Sequence, residues 1–349
     1  LGPGTPAASD IFGDQQQYLL ADENVYAAYV QYDLQWERLG ITGGVRVENT
    51  HDDLHAYQTG TDASGNQFAD PIQTVHAYTN AFPGIQARFR IDPSLIARAN
   101  WSSTLARPGF NQVTPSAAVD LGTGQITIGN PDLKPTYANS FDADIEQYLP
   151  HAGIASVGIF DKELKDYIVP DQTGAAVTFF HGTNTPLRTF TFRNASHSYA
   201  RGVELNYEQH LDFLPGLLSG LGIGGNYTYV DSRFEIRPGE HARLPSSSKN
   251  TWNATVFYQR DGFMARLGGY SVSADLFSIG QGASGDVYNA SRTYLDFGSS
   301  YDLSKAWQVY FNAQNLLNTP HTFWQGSADR PIQREFYGQT YQAGFRFNY

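Results

Sequence analysis

The sequence predicts an all-β fold, namely an antiparallel up-and-down transmembrane β-barrel, of which these 349 residues carry about 13 strands. Three observations lead to this prediction. Apolar and polar residues alternate along many segments. The connections between those segments are alternately short and long. Finally, aromatic residues make up 14% of the chain, while charged residues make up 16%, against roughly 25% in a typical soluble protein.

The alternation is clearest in four segments. Residues 252–258 place Trp, Ala, Val and Tyr at every second position, between mostly polar residues. The same pattern is present in residues 203–208, 307–314 and 341–349. Glycine recurs in these windows, which would cost a helix about 1 kcal/mol each. The segments are therefore predicted to be strands with one apolar and one polar face.

The predicted strands lie near residues 23–37, 40–58, 83–91, 94–106, 136–149, 153–169, 189–211, 219–235, 248–259, 263–277, 290–302, 306–315 and 335–349. Tight joints are predicted at 38–39, 92–93, 150–151, 261–262 and 303–305, with a slightly longer one at 212–218. Long loops are predicted at 59–82, 107–135, 170–188, 236–247, 278–289 and 316–334.

Short turns at one rim and long loops at the other are typical of outer-membrane β-barrels. Hydrocarbon tolerates no unpaired backbone groups, so strands can span it only as a closed barrel. Aromatic residues near strand ends are then expected to form the interfacial girdles: Tyr26, Tyr29, Trp36, Tyr148, Tyr227, Tyr229 and Tyr301. An odd strand count that ends at the periplasm would place residue 1 in an extracellular loop, so we expect the chain to be the C-terminal portion of a larger protein.

Composition excludes several other classes of protein. A net charge of −11 argues against a general nucleic-acid binder, which needs a basic face. The absence of Cys excludes disulfides, thiolate metal sites and a Cys nucleophile. No stretch reaches the roughly 18 apolar residues of a membrane-spanning helix.

Several motifs resemble the C-terminal barrel region of TonB-dependent outer-membrane receptors. Residues 129–135 (GNPDLKP) are similar to that family's GNPDLKPE stretch, and residues 159–168 to its KxIKDFI strand. Arg107 and Pro108 resemble its RP pair, residues 200–205 its ARGVEL, and residues 312–318 its xVxNLFN. Tyr341, Phe345, Phe347 and Tyr349 resemble the aromatic-ended last strand that the barrel-insertion machinery reads.

This resemblance implies a barrel of 22 strands with a plugged lumen, which takes up a scarce large ligand with energy coupled through TonB. It divides the chain into an extracellular loop segment at residues 1–22 and the C-terminal barrel portion at residues 23–349, without the N-terminal plug. The implied partners are outer-membrane lipid, TonB through the absent plug segment, the insertion machinery, and the upstream part of the same barrel, which a separate chain could supply. The resemblance implies neither an enzyme nor a cofactor.

Candidate ligand contacts lie in two of the predicted long loops. His321, Phe323, Trp324, Arg330 and Arg334 form an aromatic and charged cluster that could stack on a sugar or a metal chelate. An interfacial aromatic belt is the alternative interpretation of this cluster.

Arg107 and Asn111 open another long loop, where anchoring of the loop is the alternative role. Trp and Tyr residues in the loops suit an oligosaccharide, towards which the overall motif pattern leans, while Arg residues beside aromatics suit a ferric siderophore.

Two other functions stay open at this stage. A plug-free outer-membrane porin would share the barrel pattern, and an outer-membrane hydrolase would use acidic and His residues at a rim. His51, Asp53 and His55 share one face of a predicted strand. We interpret them as a polar row facing the lumen and not as a metal site, although carboxylates and imidazoles suit divalent ions.

Overall fold

The computed structural model describes residues 13–15, 18–61, 64–114, 116–120, 123–172, 177–178 and 186–347. Its strands in chain order begin with β1 (Leu19–Gln35), β2 (Leu39–Thr61), β3 (Gln67–Arg90), β4 (Leu95–Ala106), β5 (Ala117–Asp120), β6 (Gln125–Ile128), β7 (Thr136–Leu149), β8 (Gly153–Lys165), β9 (Ile168–Asp171), β10 (Val177–Thr178), β11 (Leu187–Asn194) and β12 (Ser198–His210). They continue with β13 (Leu221–Arg237), β14 (Glu240–Ala242), β15 (Asn250–Arg260), β16 (Phe263–Val272), β17 (Asp275–Ser278), β18 (Val287–Asn289), β19 (Arg292–Asp302), β20 (Trp307–Gln314), β21 (His321–Gln325), β22 (Pro331–Glu335) and β23 (Thr340–Phe347). An α-helical turn spans Phe110–Val113, and 3-10 turns span Gly216–Gly220 and Ala283–Gly285.

Thirteen of these strands form one antiparallel wall, in the order β1-β2-β3-β4-β7-β8-β12-β13-β15-β16-β19-β20-β23, with β14 paired to β13. The predicted meander of 13 strands is therefore confirmed. Within the described residues β1 and β23 lie at opposite ends of the wall and do not pair with each other. Among the helices of the described part of the chain, none is long and apolar enough to cross a membrane.

The register gives the wall one apolar and one polar side. Val256 on β15 lies opposite Ile223 on β13 and Leu267 on β16, which in turn lies opposite Phe297 on β19. The next residue, Thr255, lies opposite Gly224 and Gly268, on the other side of the wall. Successive residues of a strand point to opposite faces, so these pairings carry the alternation across the whole wall.

The register also corrects two predicted girdle positions. Tyr29 pairs with Arg46, and Tyr148 lies next to Gln147, which shares the apolar side with Ile145. Both tyrosines therefore lie on the polar side of the wall. An aromatic residue near a strand end can face either side of the wall, because its side is determined by whether its position along the strand is odd or even.

Short connections join the wall strands at one rim. Asp261 and Gly262, with φ of 50° and 77°, form the two-residue turn between β15 and β16, as type I′ hairpin geometry requires. The connections at 36–38, 91–94, 150–152 and 303–306 are also short, and residues 211–220 form a longer one at the same rim. The predicted sorting of connections by length is thus present.

Several predicted boundaries were wrong on the long-loop side. The predicted loop at 59–82 is mostly strand, because β2 and β3 stay paired out to Thr61 and Gln67. The predicted strand 189–211 is split into β11 and β12. The predicted strand 153–169 ends at Lys165, since Asp166 takes a left-handed φ of 57° that interrupts it.

The other long connections fold into two small sheets, of β5, β6, β9, β10 and β11, and of β17, β18, β21 and β22. The buried apolar clusters of the described residues lie in these connections and in the strand ends next to them. The largest contains Val169, Ala195, Phe234, Ile236, Leu244 and Leu276. The structure therefore combines a thin wall with a packed loop body, meaning residues 107–135, 166–197, 234–249, 273–291 and 315–339 as far as they are described.

Candidate ligand-binding surface of the loop body

The loop body is held together by a buried ion pair. Arg237, at the end of β13, donates from Nη1 to Asp286 Oδ1 at 2.8 Å and from Nη2 to Asp286 Oδ2 at 2.7 Å. The two residues are 6% and 2% exposed. The bidentate contact raises the pKa of the Arg237 guanidinium further above its ordinary value. Gly280 N–H also donates to Asp286 Oδ1, and the ion pair connects the segments 234–249 and 273–291 of the loop body.

Three of the predicted ligand contacts lie on β21. His321 and Phe323 have ring centroids 4.5 Å apart, and Phe323 meets Phe277 edge-on at 5.0 Å. His321 Nε2 lies 2.9 Å from Asn289 Oδ1. Trp324 stacks on Tyr288 at 4.1 Å with planes 11° apart. One face of Trp324 is therefore already covered by protein.

The two predicted arginines lie at the exposed edge of the same small sheet. Arg330 and Arg334 are both exposed, and the Arg334 guanidinium lies 5.1 Å from the centre of the Phe336 ring. Phe336 and Tyr337 are 60% and 74% exposed. The structure brings the Arg334 cation and the exposed Phe336 ring together here.

Arg107 lies elsewhere, on the polar side of the wall. Its Nη2 donates to Glu48 Oε2 at 2.8 Å and to Thr50 Oγ1 at 3.0 Å, and its Nε lies 3.6 Å from Glu23 Oε2. These contacts fix the start of the loop after β4. Asn111 is exposed on the helical turn that follows. The structure does not bring Arg107 and Asn111 together with His321.

The GNPDLKP stretch, residues 129–135, attaches the loop body to the wall. Its Pro131 carbonyl lies 2.6 Å from His76 Nε2 on β3, and Leu133 packs into a buried cluster with Leu54. Asn194 accepts from Lys134 N–H at 2.9 Å and donates to the carbonyls of Lys134 and Asp166, both at 2.8 Å. The motif thus holds loop segments in place.

Contrary to the prediction, His51, Asp53 and His55 do not face the lumen. They have the same parity as Val45 and Val47 along β2, whereas Asp52 and Leu54 lie on the polar side, where both are buried. His55 Nε2 lies 3.3 Å from Asp53 Oδ1. Within the described residues, no group of three or more His, Asp or Glu side chains could hold a metal ion.

Three residues of the predicted insertion signal lie on the last wall strand. Tyr341, Phe345 and Phe347 share the apolar side of β23 and are 58%, 72% and 55% exposed. Tyr349 lies outside the described residues. Their role as a signal stays a prediction.

Sequence reasoning missed the Arg237–Asp286 pair and Asn194. The pair spans 49 residues, so no local spacing indicates it. Asn194 stands inside the predicted strand 189–211, where an Asn side chain that bonds to nearby backbone groups is a turn signal. That signal could have revealed the break between β11 and β12.

A single-layered wall with one apolar side, short turns at one rim and a loop body at the other corresponds to part of a transmembrane β-barrel. The family model described as "TonB dependent receptor-like, beta-barrel" matches residues 2–316. The chain therefore belongs to the TonB-dependent receptor β-barrel family, whose proteins lie in the outer membrane. No curated protein sequence matches the chain.

Solved structures share this fold. The chain is similar to the ferric-catecholate import receptor Fiu from E. coli K12, with 14% identity over 95% of this chain and 45% of that chain and a TM-score of 0.68. It is also similar to the ferric yersiniabactin uptake receptor FyuA from Yersinia pestis, with 16% identity over 95% of this chain and 46% of that chain and a TM-score of 0.68. The copper transporter OprC is similar too, with 15% identity over 94% of this chain and 48% of that chain and a TM-score of 0.67. The chain thus spans slightly less than half the length of these structures.

Proposed function

We propose that this chain forms part of an outer-membrane receptor that takes up a scarce ligand with energy coupled through TonB. Family membership is the observation that carries the proposal, and the one-sided wall supports a position in the outer membrane. TonB would act through a plug inside the complete barrel, and the work done is transport without covalent chemistry.

We infer further that the ligand is an anionic metal chelate such as a ferric siderophore. Arg330 and Arg334 offer exposed cations, and Arg334 lies beside the exposed ring of Phe336. An oligosaccharide would need a flat aromatic platform, and Trp324 is half-buried with one face on Tyr288. Several structures of the same fold carry names that refer to ferric chelates or copper, which agrees with this choice.

Binding by the complete receptor tests the ligand class. A charge-assisted hydrogen bond contributes about 1.5–3 kcal/mol, so removing such contacts should weaken affinity by roughly 10- to 150-fold. We therefore expect Arg330→Gln with Arg334→Gln to weaken binding of a ferric catecholate or ferric citrate by at least the lower figure. Arg38→Gln, an exposed arginine at the opposite rim, is the matched control. Tight binding of neutral oligosaccharides, unchanged in the double variant, would contradict the chelate proposal.

Uptake and conductance separate the receptor from the other two functions. Ligand uptake by cells should stop when the proton-motive force is collapsed or TonB is removed. A steady open conductance from the complete protein in a planar bilayer would instead favour a porin. A hydrolytic activity that follows mutation of rim carboxylates would favour the hydrolase.

A further inference from the structure

Residues 211–220, here called the apolar turn, differ from the other connections at the short-turn rim. The turn contains the sequence LDFLPGLLSG, and Phe213, Leu217 and Leu218 are 58%, 72% and 51% exposed. Each of the other five connections at this rim, at 36–38, 91–94, 150–152, 261–262 and 303–306, is shorter and presents at most one large exposed apolar side chain.

The apolar turn has a defined shape. Gly216 takes a φ of 60°, which glycine adopts without steric cost, and the 3-10 turn Gly216–Gly220 follows. Leu211 N–H donates to Leu221 O at 2.8 Å, which closes the turn at its base. Arg260 Nη1 donates to Ser219 Oγ at 3.0 Å and to the Gly216 carbonyl, so the turn is tied to β15. The exposed leucines are therefore presented by a structured element.

The turn lies on the apolar side of the wall. Arg260 and Tyr258 have the same parity as Val256 along β15 and so share its side. A Cβ atom on Gly220 would lie 2.9 Å from the Tyr258 ring and 3.0 Å from Arg260 Cβ, so this glycine permits close packing there. Phe263, 40% exposed, lies beside Tyr258 with ring centroids 6.0 Å apart. The exposed side chains of the turn thus extend the apolar side of the wall beyond the aromatic residues at the short-turn rim.

We propose that the apolar turn is an interfacial anchor that inserts Phe213, Leu217 and Leu218 into the phospholipid leaflet at the short-turn rim. Interfacial elements bury an apolar face at the boundary of headgroups and acyl chains and place cations at the headgroups. Arg260 supplies such a cation beside the leucines, and the His151–Asp212 ion pair lies next to Phe213. The inference rests on the proposed position of the barrel in the outer membrane.

A lipid surface fits the apolar turn better than a protein partner does. A standard protein–protein interface covers about 800 Å² on each partner, far more than one such turn presents. The surface is instead continuous with the apolar side of the wall, which would face lipid in the proposed membrane position.

Spin labelling of the complete receptor tests the anchor, and these 349 residues contain no Cys that would take up a second label. A nitroxide would be placed by Leu217→Cys in the turn, by Val256→Cys on the apolar side of the wall, or by Lys305→Cys in another exposed turn at the same rim. The receptor would be reconstituted into vesicles of phosphatidylethanolamine and phosphatidylglycerol. Accessibility to oxygen, which concentrates in lipid, would be compared with accessibility to a water-soluble nickel chelate.

We expect the oxygen-to-nickel accessibility ratio at Leu217 to be several-fold higher than at Lys305 and closer to the ratio at Val256. A Leu217 label as accessible to nickel as the Lys305 label would overturn the anchor, and so would a label shielded from both reagents. A Val256 label exposed to nickel would mean that the wall itself is not in lipid. That result would overturn the proposed membrane position, so the two failures are distinguishable.

Discussion

Replacing Arg237 by methionine removes one partner of the buried ion pair while keeping an unbranched side chain. Asp286 would then be left 2% exposed with Gly280 N–H as a remaining donor at 2.9 Å. Removing one member of a buried pair costs about 3–5 kcal/mol, because the other charge is left uncompensated. Since about 1.4 kcal/mol is a factor of ten, local opening of the loop body should become about two to three and a half powers of ten more frequent.

Amide hydrogen exchange in the complete receptor measures this opening. The peptides that contain β14, β17 and β18 should lose protection in Arg237→Met, whereas peptides from the wall strands should not change. Arg201→Met is the matched control, because Arg201 and Asp231 are about half exposed at 3.9 Å and such pairs contribute only about 0–1 kcal/mol.

The double variant Arg237→Met with Asp286→Leu sharpens the test. It removes both charges, and replacing a buried pair by apolar side chains is often close to neutral, so most of the lost protection should return. Unchanged exchange in the single variant would refute the reasoning that this pair holds the loop body together.

Three further predictions concern the contacts of the GNPDLKP stretch and the packing of the loop body. Asn194→Ala removes three hydrogen bonds to backbone groups and should lower protection of residues 129–135 by about 1–3 kcal/mol in hydrogen exchange, whereas Asn111→Ala, on an exposed turn, should not. Gly129→Ala places a Cβ 2.1 Å from the Thr114 carbonyl, which is backbone and cannot swing away, so the same peptide should lose about 1–3 kcal/mol of protection. Burial raises the pKa of Tyr167, so an unfolded loop body would ionise this tyrosine first, and its stability should fall as pH rises above the ordinary tyrosine value of about 10. Proteolysis of the loop body by an alkaline-active protease should therefore accelerate above that pH, and less so in Tyr167→Phe; equal acceleration in both proteins would contradict this assignment.

The wall could be predicted from the sequence because its rules are local. A period of two places one set of residues on the apolar side of the wall, namely Trp252, Ala254, Val256 and Tyr258. Each paired strand repeats that period. The Asp261–Gly262 turn reveals its own geometry, because few residue pairs accept two positive φ values. Register then follows from these two signals together.

The loop body could not be predicted in the same way because its contacts are long-range. Arg237 and Asp286 meet across 49 residues, and neither residue type in its local context indicates burial. His321 and Trp324 were predicted as ligand contacts from residue type and position in a long loop, yet part of their surface is taken up by Phe323, Asn289 and Tyr288. A loop aromatic signals either packing or binding, and only the neighbouring segments decide between them.

The most direct test of the account compares an arginine placed on each side of one wall strand of the complete receptor. Val256 lies on the apolar side, 50% exposed, and Thr255 lies next to it on the polar side. An arginine that faces lipid near the bilayer midplane costs about 2–4 kcal/mol, so Val256→Arg should lower the folded-to-unfolded ratio in vesicles by about 30- to 800-fold. Thr255→Arg, facing the lumen, should leave that ratio nearly unchanged. If Val256→Arg were tolerated and Thr255→Arg prevented folding, the apolar side could not face lipid and the barrel assignment would be contradicted.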